Sequence, residues 1–304
     1  MSLNRPLRVG LLNMMADGAL RATDRQFSRL LGCGADPRVA DLRVFTLPEI
    51  VRTTPAQSYI AENYLSFEGI QRQGLDALII TGVNLSDPRL ETQAFWHPLV
   101  RVMDWAQAQV GSVLCSCLAT HAVMQFRYGQ LRRPLGAKLW GVFAQEVCPG
   151  DHPLTRGLPS RVDVPHSRHN DLAADQFAWA GLRPLISGGG AGVHLAADKD
   201  SRLVLLQGHP EYDTISLLKE FKREVAFFHG GLRPDFPPFP EGLLAPEGQG
   251  ALTDLRLAVK KAQKDGRPLP EFREHFFMPH LINHWAEPTA RMFASWRDLV
   301  IRRA

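Results

Sequence analysis

The chain is 304 residues long with 45% hydrophobic and 22% charged residues, which is the balance of a globular protein able to build one large domain with an appendage. A net charge of +4 without any run of five like charges excludes a nucleic-acid-binding stripe, and pairs such as Lys260-Lys261 read as solvated charge. The four cysteines (Cys33, Cys115, Cys117 and Cys148) have neither disulfide-framework nor zinc spacing, and no apolar run is long enough to span a membrane; a reducing cytoplasm and no metal are expected.

Along the chain, strand and helix patterns alternate. Leu7 to Asn13 is an apolar first strand, Thr23 to Leu31 a helix, and Leu42 to Leu47 a second strand, after which Arg52-Thr53-Thr54-Pro55 reads as a break. Tyr59 to Ile70 is expected as one helix. Ala77 to Gly82 is a third strand ending in a glycine loop, and Phe95 to Gln109 a helix with Trp96, Leu99, Val100, Met103 and Trp105 on its apolar side. Val113 to Ser116 is the fourth strand. This alternation predicts an α/β fold, a doubly wound, mainly parallel sheet with flanking helices and a site at the strand C-termini.

The second half is more broken. Leu139 to Val147 is strand-like, and Val162 to Arg168 is more polar than a connector needs. Leu185 to Ser187 and Gly192 to Ala197 flank Gly188-Gly189-Gly190, which lacks phosphate-loop context and reads as a hairpin turn. Leu203 to Gln207 is a buried strand, and Thr214 to Phe228 an amphipathic helix that carries Arg223. Residues 234 to 250 are rich in Pro and Gly, and the tail from Leu252 reads as helices in which Trp285 and Trp296 are free to dock. An α/β domain over 1–233 and a linker with a helical C-terminal tail over 234–304 are expected.

Two stretches carry chemistry. Cys117 follows the fourth strand and opens a helix whose Ala119, Ala122, Val123 and Phe126 recur at helical spacing. Such a junction exposes the side chain, and a helix N-terminus favours the reactive thiolate; a buried structural thiol is the plainer alternative. Gly208-His209-Pro210-Glu211-Tyr212 again follows an apolar strand, which places His209 on the same edge as Cys117. Histidine is the usual base for a cysteine nucleophile, and Glu211 is placed to orient its ring; without Cys117 the pair would only cap a turn.

These stretches, with Val9-Gly10-Leu11-Leu12-Asn13-Met14-Met15, Gln26-Phe27-Ser28-Arg29-Leu30-Leu31, Arg52-Thr53-Thr54-Pro55, Ile80-Thr81-Gly82 and Pro165-His166-Ser167-Arg168, give the chain a resemblance to the homoserine O-acyltransferase family of methionine biosynthesis. The match runs from about Arg8 through the Arg223 helix and more weakly into the tail. The resemblance implies a class I glutamine amidotransferase-like fold. It implies ping-pong transfer from an acyl-CoA co-substrate through a Cys117 thioester, with His209 as base and Glu211 as its support. It further implies that Arg223, Lys138 and Ser167 contact the substrate and that amides near Leu118 and Leu85 hold the oxyanion.

The family position that separates acetyl from succinyl users, by glutamate or glycine, corresponds to Ser86. A small uncharged residue there neither fills the pocket nor repels a distal carboxylate, so succinyl-CoA is the expected donor and acetyl-CoA the alternative. Asn84 replaces the usual proline, and Met15-Ala16-Asp17-Gly18-Ala19-Leu20-Arg21 replaces a stretch that carries a lysine, which keeps L-serine beside L-homoserine as acceptor. A glutamine amidotransferase would place its cysteine in G-x-C-x-G, unlike Cys115-Ser116-Cys117-Leu118-Ala119. A non-catalytic binding protein would leave His209, Glu211 and Arg223 without purpose. Small-molecule substrates, a homodimer, and neither nucleic acid nor membrane complete the expectation.

Overall fold

The computed structural model describes residues 5–33, 36, 39–83, 85 and 89–304. Nine strands form one sheet: β1 (Leu7–Leu12), β2 (Ala40–Phe45), β3 (Ala77–Ile80), β4 (Ser112–Ser116), β5 (Arg133–Val147), β6 (Arg161–Asp171), β7 (Arg183–Ser187), β8 (Val193–Ala197) and β9 (Leu203–Leu206), in the order β2-β1-β3-β4-β9-β8-β7-β5-β6. The first five strands in that order are mutually parallel, and the remaining pairings are antiparallel. The glycine triplet lies in the turn between β7 and β8.

The helices are α1 (Leu20–Leu31), α2 (Thr54–Asn63), α3 (Phe67–Gln73), α4 (Trp96–Gln109), α5 (Leu118–Tyr128), α6 (Ala174–Trp179), α7 (Ser216–His229), α8 (Gln249–Lys264), α9 (Glu274–Phe277) and α10 (Ala286–Ile301). None among the described residues is long and apolar enough to cross a membrane. Two expectations change here. The single helix over Tyr59 to Ile70 is two helices, because Leu65 pairs with Phe45 and Ser66 starts α3 afresh by accepting the Gly69 amide. Pro55 opens α2 instead of breaking the chain, since a proline in the first helical turn removes only an amide that would have no partner there.

Why the parallel strands read as unbroken apolar runs is visible in their packing. Leu78, Ile80, Val113, Cys115, Leu203 and Leu205 face one layer with α4 and α5, whereas Ile79, Leu114, Val204 and Leu206 face the other with α1 and α10. Alternate side chains thus enter two separate cores, and the polar residues that β4 keeps, Ser112 and Ser116, stand at its two ends. A third cluster joins Trp140 and Val142 of β5 to Leu218, Phe221 and Val225 of α7 and to Leu243, Val259, Phe277 and Trp285. The segment beyond residue 233 therefore contributes to two hydrophobic clusters: Phe293 and Trp296 of α10 are buried beneath β4, where the Trp296 indole N–H donates to Ser112 Oγ at 2.9 Å.

Val162 to Arg168, more polar than a connector needs, is part of β6, the last strand in the sheet order. Its polarity follows from that place: an edge strand tolerates Pro165, and its side chains alternate between core and surface.

Candidate active site

Register builds the site. Ser116 stands opposite Leu206 of β9, and Ile80 of β3 opposite Cys115, so β4 ends between Gly82 on one side and Gly208-His209 on the other. Cys117 then turns the chain into α5 with φ 53° and ψ −114°. That left-handed conformation costs a branched-free residue about 1–3 kcal/mol, and the surroundings hold it. The Cys117 amide donates to Leu206 O at 2.7 Å, and Thr120 Oγ1 lies 2.8 Å from the same carbonyl and 3.0 Å from Cys115 O. The turn lifts the sulfur out of the sheet, leaving Cys117 half-buried between fully buried neighbours.

Gly82 gives the sulfur its open side. A methyl group there would lie 3.8 Å from Cys117 Sγ and 3.5 Å from the Leu118 amide nitrogen. The space it leaves adjoins both the sulfur and an amide in the first turn of a helix, which has no carbonyl partner inside that helix. A carbonyl attacked by the sulfur can place its developing oxyanion in this space.

His209 is set from the opposite side. A methyl group at Gly208 would come within 2.8 Å of Pro165 O and 2.9 Å of His166 Cε1, so only glycine allows β6 to approach this closely. The His209 amide then donates to Pro165 O at 2.7 Å. Its ring is buried, with Nδ1 2.8 Å from Glu211 Oε1, and lies close enough to the Cys117 sulfur to interact with it electrostatically. Burial disfavours the imidazolium, yet the charges of Cys117 and Glu211 and the hydrogen bond to Glu211 prevail and hold the His209 pKa well above its ordinary value. Glu211 Oε2 is buried and has no hydrogen-bond partner among the described residues. The Tyr212 ring stacks on the imidazole with centroids 4.4 Å apart and planes 19° from parallel.

Behind this loop lie two further buried imidazoles. Burial and the neighbouring charges of His209 and Arg168 lower His194 to about 3, and burial likewise pushes His166 well down. Both are therefore neutral; His194 Nδ1 accepts the Gly208 amide at 3.3 Å, and His166 Nε2 meets Gln145 Oε1 at 2.8 Å.

Two of the three substrate-contact residues implied by the resemblance, Lys138 and Ser167, converge on a carboxylate that sequence reasoning missed, whereas Arg223 does not reach it. Glu220 of α7 accepts hydrogen bonds from Ser167 Oγ at 2.6 Å, Tyr212 Oη at 2.7 Å, Trp140 Nε1 at 3.0 Å and Lys138 Nζ at 3.4 Å. Burial alone would raise its pKa, but Lys138, Ser167 and Tyr212 outweigh that and keep it ionised. Lys138 also lies 3.9 Å from the centre of the Trp140 ring. Arg223, one helical turn beyond Glu220, is half-exposed, 3.7 Å from Glu224 and within the electrostatic reach of Lys138. In the sequence Glu220 is one more charge on an amphipathic helix; its position three residues before Arg223 was the available signal.

Ser86 and Asn84 lie outside the described residues. Leu85 is half-buried against the cluster that includes Leu118. Arg21 lies over the Tyr59 ring at 4.6 Å. Arg132, just past α5 and half-buried, has its pKa lowered by burial, against which the charges of the Cys117 sulfur and Glu91 act in part. Among the described residues no cluster of three or more His, Cys, Asp or Glu could hold a metal ion.

Solved structures with this fold include a glutamine amidotransferase from Thermotoga maritima (TM-score 0.52, 11% identity, 98% of this chain and 99% of that one) and one from Methylobacillus flagellatus (0.53, 11%, 97% and 95%). At that identity the likeness establishes the class I glutamine amidotransferase-like fold alone. Sequence relatives are far nearer. Proteins named homoserine O-succinyltransferase from Nitrosococcus oceani and Thioalkalivibrio nitratireducens are 47% and 49% identical over 293 residues, 96% of this chain and 82% of each relative. One from Methylococcus capsulatus is 47% identical over 294 residues, with the same coverage. The family profile described as homoserine O-succinyltransferase matches residues 3–303, which takes in both the Cys117 turn and the His209 loop as well as α10, and the chain belongs to that family.

Proposed function

We propose that this protein transfers a succinyl group from succinyl-CoA to the hydroxyl of L-homoserine, a step of methionine biosynthesis, through a thioester on Cys117. The observation that carries this reading is the buried His209 ring, bridged between Glu211 and the Cys117 sulfur beside a polar pocket centred on Glu220. The thiolate attacks the acyl carbonyl, and the oxyanion settles in the space beside Gly82 and the Leu118 amide. Collapse breaks the bond to CoA sulfur, which takes the proton from His209. The ring, neutral again, then accepts the proton of the homoserine hydroxyl as its oxygen attacks the thioester, and collapse returns the thiolate and the imidazolium.

Glu220 complements the ammonium group of an amino acid, while Lys138, Ser167 and Arg223 complement its carboxylate. The Arg132 charge near the sulfur suits a donor with a distal carboxylate, as does a small uncharged Ser86. The names of the relatives support succinyl over acetyl. The test is to incubate the protein with succinyl-CoA or acetyl-CoA without acceptor and weigh the intact chain. A mass gain of one succinyl group, absent in Cys117→Ala and discharged by homoserine faster than by serine, is expected. A chain that gains mass from neither thioester, or that hydrolyses glutamine instead, refutes the proposal.

A further inference from the structure

The catalytic loop is gripped by a segment far away in sequence. Trp285, buried to 1% exposure just before α10, donates its indole N–H to the carbonyl oxygen of Tyr212 at 2.9 Å. Two residues earlier, Asn283 Nδ2 donates to Thr214 Oγ1 at 2.7 Å, while its Oδ1 accepts the Ala286 amide that opens α10. From the other side Gln26 and Arg29 of α1 hold Asp213, and Arg29 also reaches Glu211 O at 3.4 Å. A buried indole N–H needs an acceptor, and this one takes the main chain of the residue whose ring lies flat on His209.

The geometry points to Trp285 as a positioning residue for the reaction: by fixing the Tyr212 backbone, it fixes the ring that holds the His209 imidazole in line with the Cys117 sulfur. Tyr212 is held at three points: its hydroxyl by Glu220, its amide by His209 O at 3.2 Å, and its carbonyl by Trp285, the one tether from outside the site. Without the Trp285 bond the peptide after Tyr212 is free to rotate, the ring can tilt about its hydroxyl, and the imidazole stacked on it at 4.4 Å loses its stop. The segment carrying Trp285 cannot easily yield, since Ile282 N donates to Leu243 O at 3.0 Å on one side and α10 is buried against β4 through Trp296 on the other. The C-terminal segment is on this account part of the catalytic apparatus and more than a cover for the sheet.

The inference rests on the Cys117–His209 pair proposed above, and one measurement separates the two. Iodoacetamide alkylation of Cys117, followed against pH, reports the thiolate held by His209. The groups facing that ring are Cys117 from α5, Glu211 and Tyr212 from its own loop, Glu220 from α7 through Tyr212, and His166 and His194 from β6 and β8. Trp285→Phe keeps an aromatic ring and removes only the N–H. It is expected to move the alkylation midpoint upward by about one pH unit, hence to slow alkylation about tenfold below the midpoint. Trp296→Phe is the matched control: it deletes an equally buried indole hydrogen bond from α10 itself, at the far end of β4, and leaves the midpoint unchanged.

Equal midpoints in Trp285→Phe and the wild type, or equal shifts in both tryptophan variants, overturn the inference. If Trp285→Phe does not fold, Asn283→Ala is judged by the same criterion. An alkylation profile that His209→Ala fails to move would instead overturn the nucleophile–base pair, whatever Trp285 does.

Discussion

The two halves of the sheet do different work. The parallel half ends in reactive groups held by main chain: Cys117 by Leu206 O, His209 by Pro165 O, and the space beside Gly82 by a missing side chain. The antiparallel half and α7 supply charge held by side chains, with Ser167, Lys138, Trp140 and Tyr212 gathered on Glu220. The backbones of Cys117 and His209 are anchored whatever a single side chain does, whereas a carboxylate held by four side chains responds to each of them. Losing a reacting group should thus abolish bond-making chemistry in the parallel half, while substrate recognition in the other should fall by steps.

The largest effect tests the first half of that contrast. Cys117→Ala is expected to lower turnover by at least about 10⁴-fold, since the residues of a nucleophile–base unit fail together, with no acyl-enzyme visible by mass. Substantial turnover in this variant would remove the chemistry from the β4 turn altogether. Gly82→Ala comes next. Its new methyl makes only ordinary contacts, 3.4 Å from Cys117 Cβ and 3.5 Å from Leu118 N, so the fold should stand while the oxyanion space fills. A loss of about 10²-fold in thioester formation is expected, the usual scale for one oxyanion donor, with an unchanged melting temperature. A melting temperature that falls along with the rate would mean that Gly82 serves packing instead.

Glu220→Gln probes the other half. The amide oxygen can still accept from Tyr212, but the negative charge is gone. Single-turnover kinetics should show acyl-enzyme formation within about threefold of wild type, while its discharge by homoserine slows about 10- to 100-fold, as loss of a charged hydrogen-bond partner implies. Equal losses in both steps would merge the two halves into one functional unit.

The same contrast explains what was legible in the sequence. The inner parallel strands β3 and β9 are covered on both faces, so Ala77 to Ile80 and Leu203 to Leu206 appear as continuous apolar runs, and the residue after each run falls on one edge by topology alone. That is why Cys117 and His209 could be placed together without coordinates. The Glu220 cluster joins β5, β6 and α7 through side chains far apart in the chain, and no local period encodes it. Trp285 was legible only as a bulky residue free to dock, because its partner is a main-chain carbonyl, which leaves no mark in the sequence. The strand β6 left no strand pattern for a related reason: on the sheet's edge, with Pro165 at its centre, it needs neither a continuous apolar run nor every amide.

The smallest effect concerns acid, and here the two halves should behave alike. His121 of α5 is buried in the parallel half, its Nε2 3.0 Å from Gln207 Oε1, and burial lowers it to about 3; His194 in the antiparallel half is lowered to about 3 in the same way. In the unfolded chain both protonate near 6.5. Between these values the unfolded state binds protons that the folded state refuses, so the stability conferred by a neutral buried ring is complete above 6.5 and is lost as pH falls. His209 runs in the opposite sense, since its folded pKa is raised; its contribution is present below 6.5 and is lost as pH rises through the folded value. His121→Gln can keep a donor toward Gln207 but cannot titrate. Urea unfolding between pH 6.5 and 5 should therefore show wild-type stability falling more steeply than the variant's, by up to about 1.4 kcal/mol per pH unit. Parallel curves would mean that the ring takes up its proton in the folded state, in which case its Nδ1, which has no hydrogen-bond partner among the described residues, must carry an N–H and gain an acceptor, while Nε2 goes on donating to Gln207 Oε1.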